Sequence, residues 1–456
     1  MESSLTFKAR RSEPVLVTPA KPTPHEFKPL SEIDDQESLR FYRSGIHFYR
    51  SNPSKVGEDP AQVIKAALAK GLVGYYPIAG RIREWPGRKL VVECTGEGVV
   101  FVEADADVSL DDFGGAISPP IPCYEELLCE PETTSAVVVD RPLLYVQVTR
   151  LRCGGFTFGL QICHSIADAA GVVQLLKAIA ELARGVDAPS VPAPVWAREL
   201  LCARSPPRVT HQHPEYEEVA GRGKDVIRAG DALVRRGFFF GPKEMSVLRQ
   251  RAAIRSRVSR FELIAAFMWR CRTAALGYDP SDEVRIQFVV NARGKRSPPL
   301  PSGFYGNAFA FAVASTTAGE LCGRPYSYAL EQVMKAKAKV TDEFLQSVAD
   351  LMVVRGRPRF TTAQTYLVSD LANAGFEEVD FGWGRGVYAG PATANLATFH
   401  IKYSNNGRGV EGILVPMCLP APAMERFRFE MESLTITKDP ILDHSSFPIN
   451  YLQSRM

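Results

Sequence analysis

The sequence has no apolar run of the roughly 18 residues that a membrane-spanning helix needs. Residues 1–11 mix charged and polar side chains, so we also expect no secretory signal here. Neither sign of charge dominates, because 54 Lys and Arg stand against 51 Asp and Glu, for a net charge of +3. A chain this close to neutral lacks the basic surface that binds nucleic acids. We therefore expect no membrane and no nucleic acid as partner, although a local basic pocket for an anionic ligand remains open.

Paired cysteines are also missing. The nine cysteines are scattered, their number is odd, and no Cys-x-x-Cys pair occurs. This pattern disfavours both a disulfide framework and a zinc site, and it is typical of proteins from a reducing compartment.

Length and element order predict an α/β protein with two domains of similar size. The 456 residues exceed what one ordinary core accommodates. A proline-rich stretch at 186–214 has few periodic apolar positions and is predicted to be a crossover linker. The prediction is an N-terminal domain at 1–185 and a C-terminal domain at 215–456. A cleft between them is where a ligand site is expected.

Helix and strand signals alternate along both halves. Asp59-Pro60 predicts a helix start, and Gly71 is expected to end that helix. Alternating apolar residues predict a strand at 156–162, followed directly by a helix at 169–183. Further helices are predicted at 260–276 and 327–339, and further strands at 89–94, 99–102, 284–290, 366–368 and 399–403.

A histidine and an aspartate, His164 and Asp168, lie where the strand at 156–162 passes into its helix. Histidine is the side chain most easily tuned to act as a base near neutral pH, and transfer of an acyl group to a hydroxyl needs such a base. An ordinary structural alternative stays open. Asp168 would then cap the following helix, and His164 would be a satisfied core residue.

A second motif, Asp380-Phe381-Gly382-Trp383-Gly384, has two glycines on either side of a tryptophan, which suits a tight loop. Together the two motifs resemble the plant BAHD acyltransferases, in which HxxxD stands mid-chain and DFGWG follows roughly 215 residues later. Shorter runs agree with that family over nearly the full length, namely 76–81, 94–98, 261–263, 269–270, 291–293 and 306–308. The resemblance implies two chloramphenicol-acetyltransferase-like domains with a channel between them.

The resemblance also implies roles for individual residues. His164 is expected to be the general base, and Asp168 a structural residue paired with Arg293. Acyl-CoA is expected as co-substrate, with no cofactor bound permanently. The implied CoA-binding residues are Arg255, Ser256, Arg257, Ser259, Asp380, Phe381, Gly382, Trp383 and Gly384. For 255–259 the alternative of a solvated surface run stays open.

One position departs from the family pattern. Many relatives have a Ser-Trp pair about ten residues before DFGWG, whose tryptophan helps to hold the oxyanion, whereas this chain has Ser369-Asp370. An ionised carboxylate would repel an oxyanion, so the donor here is expected to be a backbone N–H or a nearby hydroxyl.

Two other sets of polar residues are expected to be structural. Lys335 and Lys339 share a helix face and are predicted to be surface residues. His211 and His213 lie in the proline-rich linker without a third ligand, so no metal is expected there.

The runs at 17–24 and 413–420 resemble the alcohol acyltransferase branch of the family. This implies an acyl-CoA-dependent alcohol O-acyltransferase, with benzoyl-CoA and benzyl alcohol as the best match and benzyl benzoate as product. Acetyl-CoA with an aliphatic or terpenoid alcohol is the alternative, and a non-catalytic CoA-binding protein is an alternative of another class. The family implies a monomer. Ser454-Arg455-Met456 has the chemistry of a peroxisomal address, so an import receptor is an expected partner, with a cytosolic location as the alternative.

Overall fold

The computed structural model describes residues 5–114, 117–129, 138–219, 227, 231–252, 257–393, 397–405 and 410–432. In this part of the chain the helices are α1 Pro60–Gly74, α2 Ala169–Ala183, α3 Pro242–Ala252, α4 Arg260–Leu276, α5 Ala318–Gly323, α6 Tyr326–Lys339, α7 Asp342–Val354 and α8 Ala421–Glu432. Among the described residues, no helix combines the length and the apolar character that crossing a bilayer requires.

Sixteen strands alternate with these helices. In the N-terminal half they are β1 Ala9–Arg11, β2 Val15–Val17, β3 Phe27–Pro29, β4 Tyr42–Tyr49, β5 Arg81–Trp85, β6 Lys89–Glu93, β7 Val99–Ala106, β8 Leu144–Leu151 and β9 Phe156–Cys163. In the C-terminal half they are β10 Leu233–Phe240, β11 Glu283–Asn291, β12 Phe309–Thr317, β13 Thr365–Asp370, β14 Tyr388–Gly390, β15 Ala397–Asn405 and β16 Val410–Pro420.

The strands form two large sheets, one for each half, and a small third sheet. The first has the order β1-β7-β8-β9-β4-β14, with β2 also paired to β7. The second has the order β10-β16-β15-β13-β11-β12, and the small one the order β3-β6-β5. Parallel pairs are β7 with β8, β11 with β13 and β13 with β15, while the other pairs are antiparallel. The predicted two-domain α/β fold is thereby confirmed.

Each large sheet has its own apolar core. Residues of α1 and α2 pack with the strands of the first sheet, and residues of α4, α6 and α7 pack with those of the second. The boundaries at 185 and 215 stay predictions. The structure adds that one later segment crosses to the first half, because β14 pairs with β4 and Phe381 and Trp383 belong to the first core.

Most predicted elements are present within a few residues, and the helices at 169–183 and 260–276 have the predicted bounds. The predicted end of α1 is wrong, because the helix continues past Gly71 to Gly74. Gly71 instead faces α2, where an added Cβ would lie only 3.0 Å from Cγ1 of Ile179. The glycine therefore permits the close packing of two helices and does not end one.

Candidate active site

A cavity of about 710 Å³ lies between the two halves and is lined by both. Strands β4 and β9 and the start of α2 form one wall. The other wall comes from β11, β12, β13 and β15 with the start of α4 and Lys337 of α6. His164 and Asp168 both line this cavity, so the HxxxD motif lies where the two domains meet.

His164 follows the last residue of β9 and is held by its backbone. Its N–H donates to the Phe41 carbonyl at 2.8 Å, and its carbonyl accepts from Nδ2 of Asn307 at 2.8 Å. The rings of Phe41 and Phe309 flank the imidazole, with centroids at 5.3 and 6.2 Å. A base on this rigid strand end has little freedom to turn away from the cavity.

The same enclosure sets the protonation state of His164. Burial and, to a smaller extent, the charge of Arg43 lower the pKa of the imidazole to about 4, against weaker opposing effects of Asp168 and Asn307. Burial has this direction because it disfavours the charged form of the ring. The imidazole is therefore neutral near pH 7 and can accept a proton from a bound hydroxyl.

Asp168 caps the following helix, as its position suggested, and also forms the ion pair with Arg293 that the family resemblance implied. Its Oδ1 accepts from the Gly171 N–H at 3.1 Å and so caps α2. Arg293 adds a bidentate ion pair, with one N–O distance of 2.7 Å and one of 2.8 Å, and the Ala308 N–H donates to Oδ2 at 3.1 Å. The carboxylate thus ties the helix that follows the base to the C-terminal half.

A second buried contact behind His164 joins the halves again. Asn307 donates through its backbone N–H and Nδ2 to the Asp34 carboxylate, both at 2.9 Å, while the same amide holds the His164 carbonyl. Asp34 in turn lies 3.2 Å from Nε of Arg198, which belongs to the proline-rich segment. In the sequence, Asn307 is marked only by the run at 306–308 that agrees with the family. Asp34 and Arg198 carried no signal there, because their significance depends on contacts between distant segments.

The DFGWG loop lies beside the cavity and does not line it. Asp380 accepts from the N–H groups of Gly382 and Gly384 at 2.7 and 2.8 Å, and both glycines have positive φ. Phe381 packs against Phe158 of β9, and Trp383 packs edge-on against Phe156 at 5.4 Å. The geometry gives this loop a packing role between the halves, and its contact with CoA stays a prediction.

One end of the cavity wall is basic. Ser259, Arg260, Lys295 and Lys337 line it. Ser259 caps α4, and its hydroxyl and N–H both bind Glu262, which also accepts from Lys337 Nζ at 3.0 Å. Of the four residues predicted from 255–259, Ser259 lies at the cavity. Arg257 is exposed and does not line the cavity, and Arg255 and Ser256 lie outside the described residues.

Sequence reasoning missed Lys337 although a signal was present. Lys335 and Lys339 are exposed, as predicted, and Lys335 lies 3.9 Å from Glu331. Lys337 instead follows Val333 by four residues and so falls on the buried face of α6. A lysine on the apolar face of a helix is unusual enough to indicate a polar site.

The Ser369-Asp370 pair ends β13 at the cavity wall. Asp370 accepts from the Ala372 N–H at 3.0 Å. Burial raises the pKa of its carboxyl, against the opposing charges of Arg260 and Lys337. Ser369 places a hydroxyl at the same wall, which keeps a hydroxyl among the candidate oxyanion donors.

His213 is a buried structural residue. Its Nδ1 lies 3.0 Å from Oε1 of Glu215, and its Nε2 lies 2.8 Å from Oγ of Ser347. The arrangement resembles a catalytic triad, but all three side chains are buried and none lines the cavity. Ser347 also accepts from the N–H groups of Thr210 and His211, so the network fixes the linker on α7.

Known proteins are similar to this chain in sequence and in fold. The model of the Transferase family matches residues 7–434. Benzyl alcohol O-benzoyltransferase of Petunia hybrida is 54% identical over 98% of this chain and 97% of that protein. The protein of the same name from Nicotiana tabacum is 53% identical over 98% of each chain. Alcohol acyl transferase 1 allele GSa of Malus domestica is 51% identical over 93% of this chain and 94% of its own.

Among solved structures, vinorine synthase has a TM-score of 0.72 at 21% identity and covers 94% of this chain and 98% of its own. F. sporotrichioides TRI101, solved with coenzyme A and T-2, has a TM-score of 0.70 at 17% identity, with 90% and 98% covered. At these identities the likeness concerns the fold. With the family model spanning most of the chain and relatives above 50% identity, the chain belongs to the Transferase family, the BAHD acyltransferases, as an acyl-CoA-dependent alcohol O-acyltransferase.

Proposed function

We propose that this enzyme transfers the benzoyl group of benzoyl-CoA to benzyl alcohol and releases benzyl benzoate and CoA. The observation that carries the proposal is the pair of benzyl alcohol O-benzoyltransferases that match nearly the whole chain at 54% and 53% identity. The cavity agrees in character, because rings of phenylalanine line much of it and suit an aryl ligand. These rings belong to Phe41, Phe261, Phe288, Phe309, Phe311, Phe360, Phe376 and Phe399.

His164 performs the proton transfers in this proposal. Its Nδ1 is buried without a hydrogen-bond partner, which leaves Nε2 as the nitrogen that serves the cavity. Nε2 takes the proton of the alcohol as the alcohol oxygen attacks the thioester carbonyl. The tetrahedral intermediate collapses, the C–S bond breaks, and the imidazolium returns the proton to the departing CoA sulfur. No acyl group is attached to the enzyme in this sequence.

The basic end of the cavity is suited to bind the phosphates of CoA. Lys337 and Arg260 supply charge there, and the Ser259 hydroxyl lies at the start of α4, where the helix dipole favours anions. Burial and the charge of Lys337 lower the pKa of Lys295, which shows that the two lysines are close to each other, and a bound phosphate would relieve the repulsion between them. The thioester would then extend from this end toward His164.

An acetyl-CoA-dependent alcohol acyltransferase is the second candidate. The Malus domestica relatives at 51% and 52% identity are named alcohol acyl transferases, which agrees with a broader choice of acyl group. Both candidates share the chemistry at His164 and differ in the acyl group that the cavity admits. The non-catalytic CoA-binding alternative is disfavoured, because the family histidine is present and lines a cavity large enough for substrates.

Competition between donors separates the two candidates. Purified protein receives equal benzoyl-CoA and acetyl-CoA with a panel of benzyl, aliphatic and terpenoid alcohols, and the esters are identified by mass spectrometry. Benzyl benzoate as the main product supports the proposal. If acetyl esters predominate, the enzyme is an acetyl-CoA-dependent alcohol acyltransferase. If no pair gives an ester, the result supports a non-catalytic CoA-binding protein.

We also propose that the protein is a monomer and that Ser454-Arg455-Met456 directs it to peroxisomes through an import receptor. The tail lies outside the described residues, and the support is its chemistry alone, a small, a basic and an apolar residue. Fluorescent fusions that retain or lack the last three residues test the address, since a cytosolic signal from both would contradict it. Light scattering during gel filtration measures the oligomeric state.

A further inference from the structure

Arg43 of β4 lines the catalytic cavity, and with the described residues it makes no ion pair and no hydrogen bond. Its contacts are with two aromatic rings, because Cζ lies 4.8 Å from the ring centroid of Phe41 and 5.3 Å from that of Phe399. Arg43 is partly buried, whereas the fully buried Arg40 and Arg198 each face a buried aspartate.

An enclosed cation without a partner is energetically costly. Burial alone lowers the pKa of Arg43 to about 10, with no carboxylate acting against it, so the guanidinium is still charged at neutral pH. Contacts with ring faces compensate for only part of this cost. A charge kept in this position is therefore expected to receive its counter-charge from something that enters the cavity.

The position of Arg43 indicates which part of a ligand it would meet. The Phe41 ring, whose centroid lies 4.8 Å from Cζ of Arg43, also lies 5.3 Å from the His164 ring, so the cation and the base both contact one aromatic ring and lie near each other. Gly45 follows on the same face of the strand and also lines the cavity. A ligand that reaches both residues needs a hydroxyl at one end and an anion about one benzene ring away.

We propose that Arg43 binds a carboxylate on the substrate, and that aromatic alcohols carrying a ring carboxylate are preferred acceptors of this enzyme. A guanidinium presents a planar pair of N–H donors that matches a carboxylate. The inference rests on the proposed aromatic acyl transfer and extends its acceptor class beyond benzyl alcohol. Arg43 is thus a specificity residue, while His164 remains the base.

The test compares 4-(hydroxymethyl)benzoate with benzyl alcohol as acceptors of benzoyl-CoA, using wild type, Arg43→Met and Arg43→Lys. Arg43→Met should lower kcat/KM for the carboxylated acceptor at least about 10-fold more than it lowers kcat/KM for benzyl alcohol, because only the carboxylated acceptor loses a charged contact. Arg43→Lys should restore part of the difference. The matched control is Arg50→Met, the same change at an exposed arginine just after the strand.

A donor arm identifies which substrate carries the anion. Succinyl-CoA is compared with butyryl-CoA, and a loss in Arg43→Met restricted to succinyl-CoA would place the carboxylate on the acyl group. Equal losses for charged and neutral substrates in both arms would overturn the proposal, as would no loss in either.

Calorimetry separates this proposal from the proposed function, because it requires no turnover. 4-(Hydroxymethyl)benzoate should bind wild type at least about 10-fold more tightly than folded Arg43→Met, and equal affinities would contradict a carboxylate site. Thermal unfolding of each variant confirms that the comparison is made on folded protein. If wild type binds this probe but forms no ester from benzoyl-CoA, the benzoyl assignment fails while the carboxylate site stands.

Discussion

The His164 imidazole is neutral at physiological pH because protein encloses it. With a pKa of about 4, the base becomes protonated only in acid, so kcat/KM should stay level from pH 7 down to about 5 and fall below it. A free imidazole would instead give a fall near its ordinary pKa of about 6.5. The measurement is the pH profile of kcat/KM over the range in which the protein stays folded. An inflection near 6.5 would show that the ring is solvated in the free enzyme.

Removal of the base gives the second test at this scale. His164→Ala should lower kcat about 10²–10⁴-fold, the usual contribution of a general base, with little change in stability. His25→Ala is the matched control, because His25 is exposed and contacts only surface groups around Glu93 and Phe27. Near-wild-type turnover in His164→Ala would require another base for the reaction.

Asp168 should contribute more to the free energy of unfolding than a helix cap alone, because it also pairs with Arg293. Asp168→Ala leaves the partly buried Arg293 without its bidentate partner and should destabilise the protein by about 3 kcal/mol. Urea unfolding measures this loss, and kcat should fall because α2 begins beside His164. Asp59→Ala is the control, since Asp59 also caps a helix and pairs with Arg150, but in a more exposed place, where about 1 kcal/mol is expected. If both variants lose the same free energy of unfolding, the ion pair between Asp168 and Arg293 stabilises the protein no more than the exposed pair at Asp59.

At the scale of elements, the two faces of α6 differ in function. Lys337 lies on its buried face at the basic end of the cavity, whereas Lys335 lies on its exposed face. Lys337→Met should raise KM for the acyl-CoA about 10-fold and leave kcat nearly unchanged, because one charge-assisted contact to phosphate is lost. Lys335→Met should change neither constant. A fall in kcat without a change in KM would place Lys337 near the reacting atoms instead.

The strands and helices themselves were largely predictable from the sequence. Alternating apolar residues predicted β9, and the helical spacing of apolar residues predicted α2 and α4, because such patterns are local to one stretch of chain. The pattern did not show that β9 is buried on both faces. The end of α1 was not predictable, since Gly71 in isolation has the character of a helix end. Only the neighbouring Ile179 shows that this glycine permits close packing of helices.

At the scale of the whole molecule, the DFGWG loop joins the halves. Its Asp380 holds two backbone N–H groups, and its aromatic residues pack in the first core. Asp380→Ala should destabilise the protein by about 2–4 kcal/mol and lower kcat, because the wall of the cavity between the halves loosens. Asp112→Ala is the matched control in the chain's other Asp-Phe-Gly, whose carboxylate binds Ser109 and Arg152 at the surface. Its kcat should be unchanged, and a similar loss of activity in both variants would contradict the proposed role of the loop.

The sequence by itself determined the α/β elements, the family and the histidine, because these depend on local spacing and on motifs that remain intact in one stretch of chain. Only the tertiary structure decided the charge contacts that no motif indicated. It paired Asp34 with Arg198, placed Lys337 at the cavity and left Arg43 there without a counter-charge among the described residues. The reason is that charges interact through space, and the packing of two domains sets the distances between residues more than a hundred positions apart.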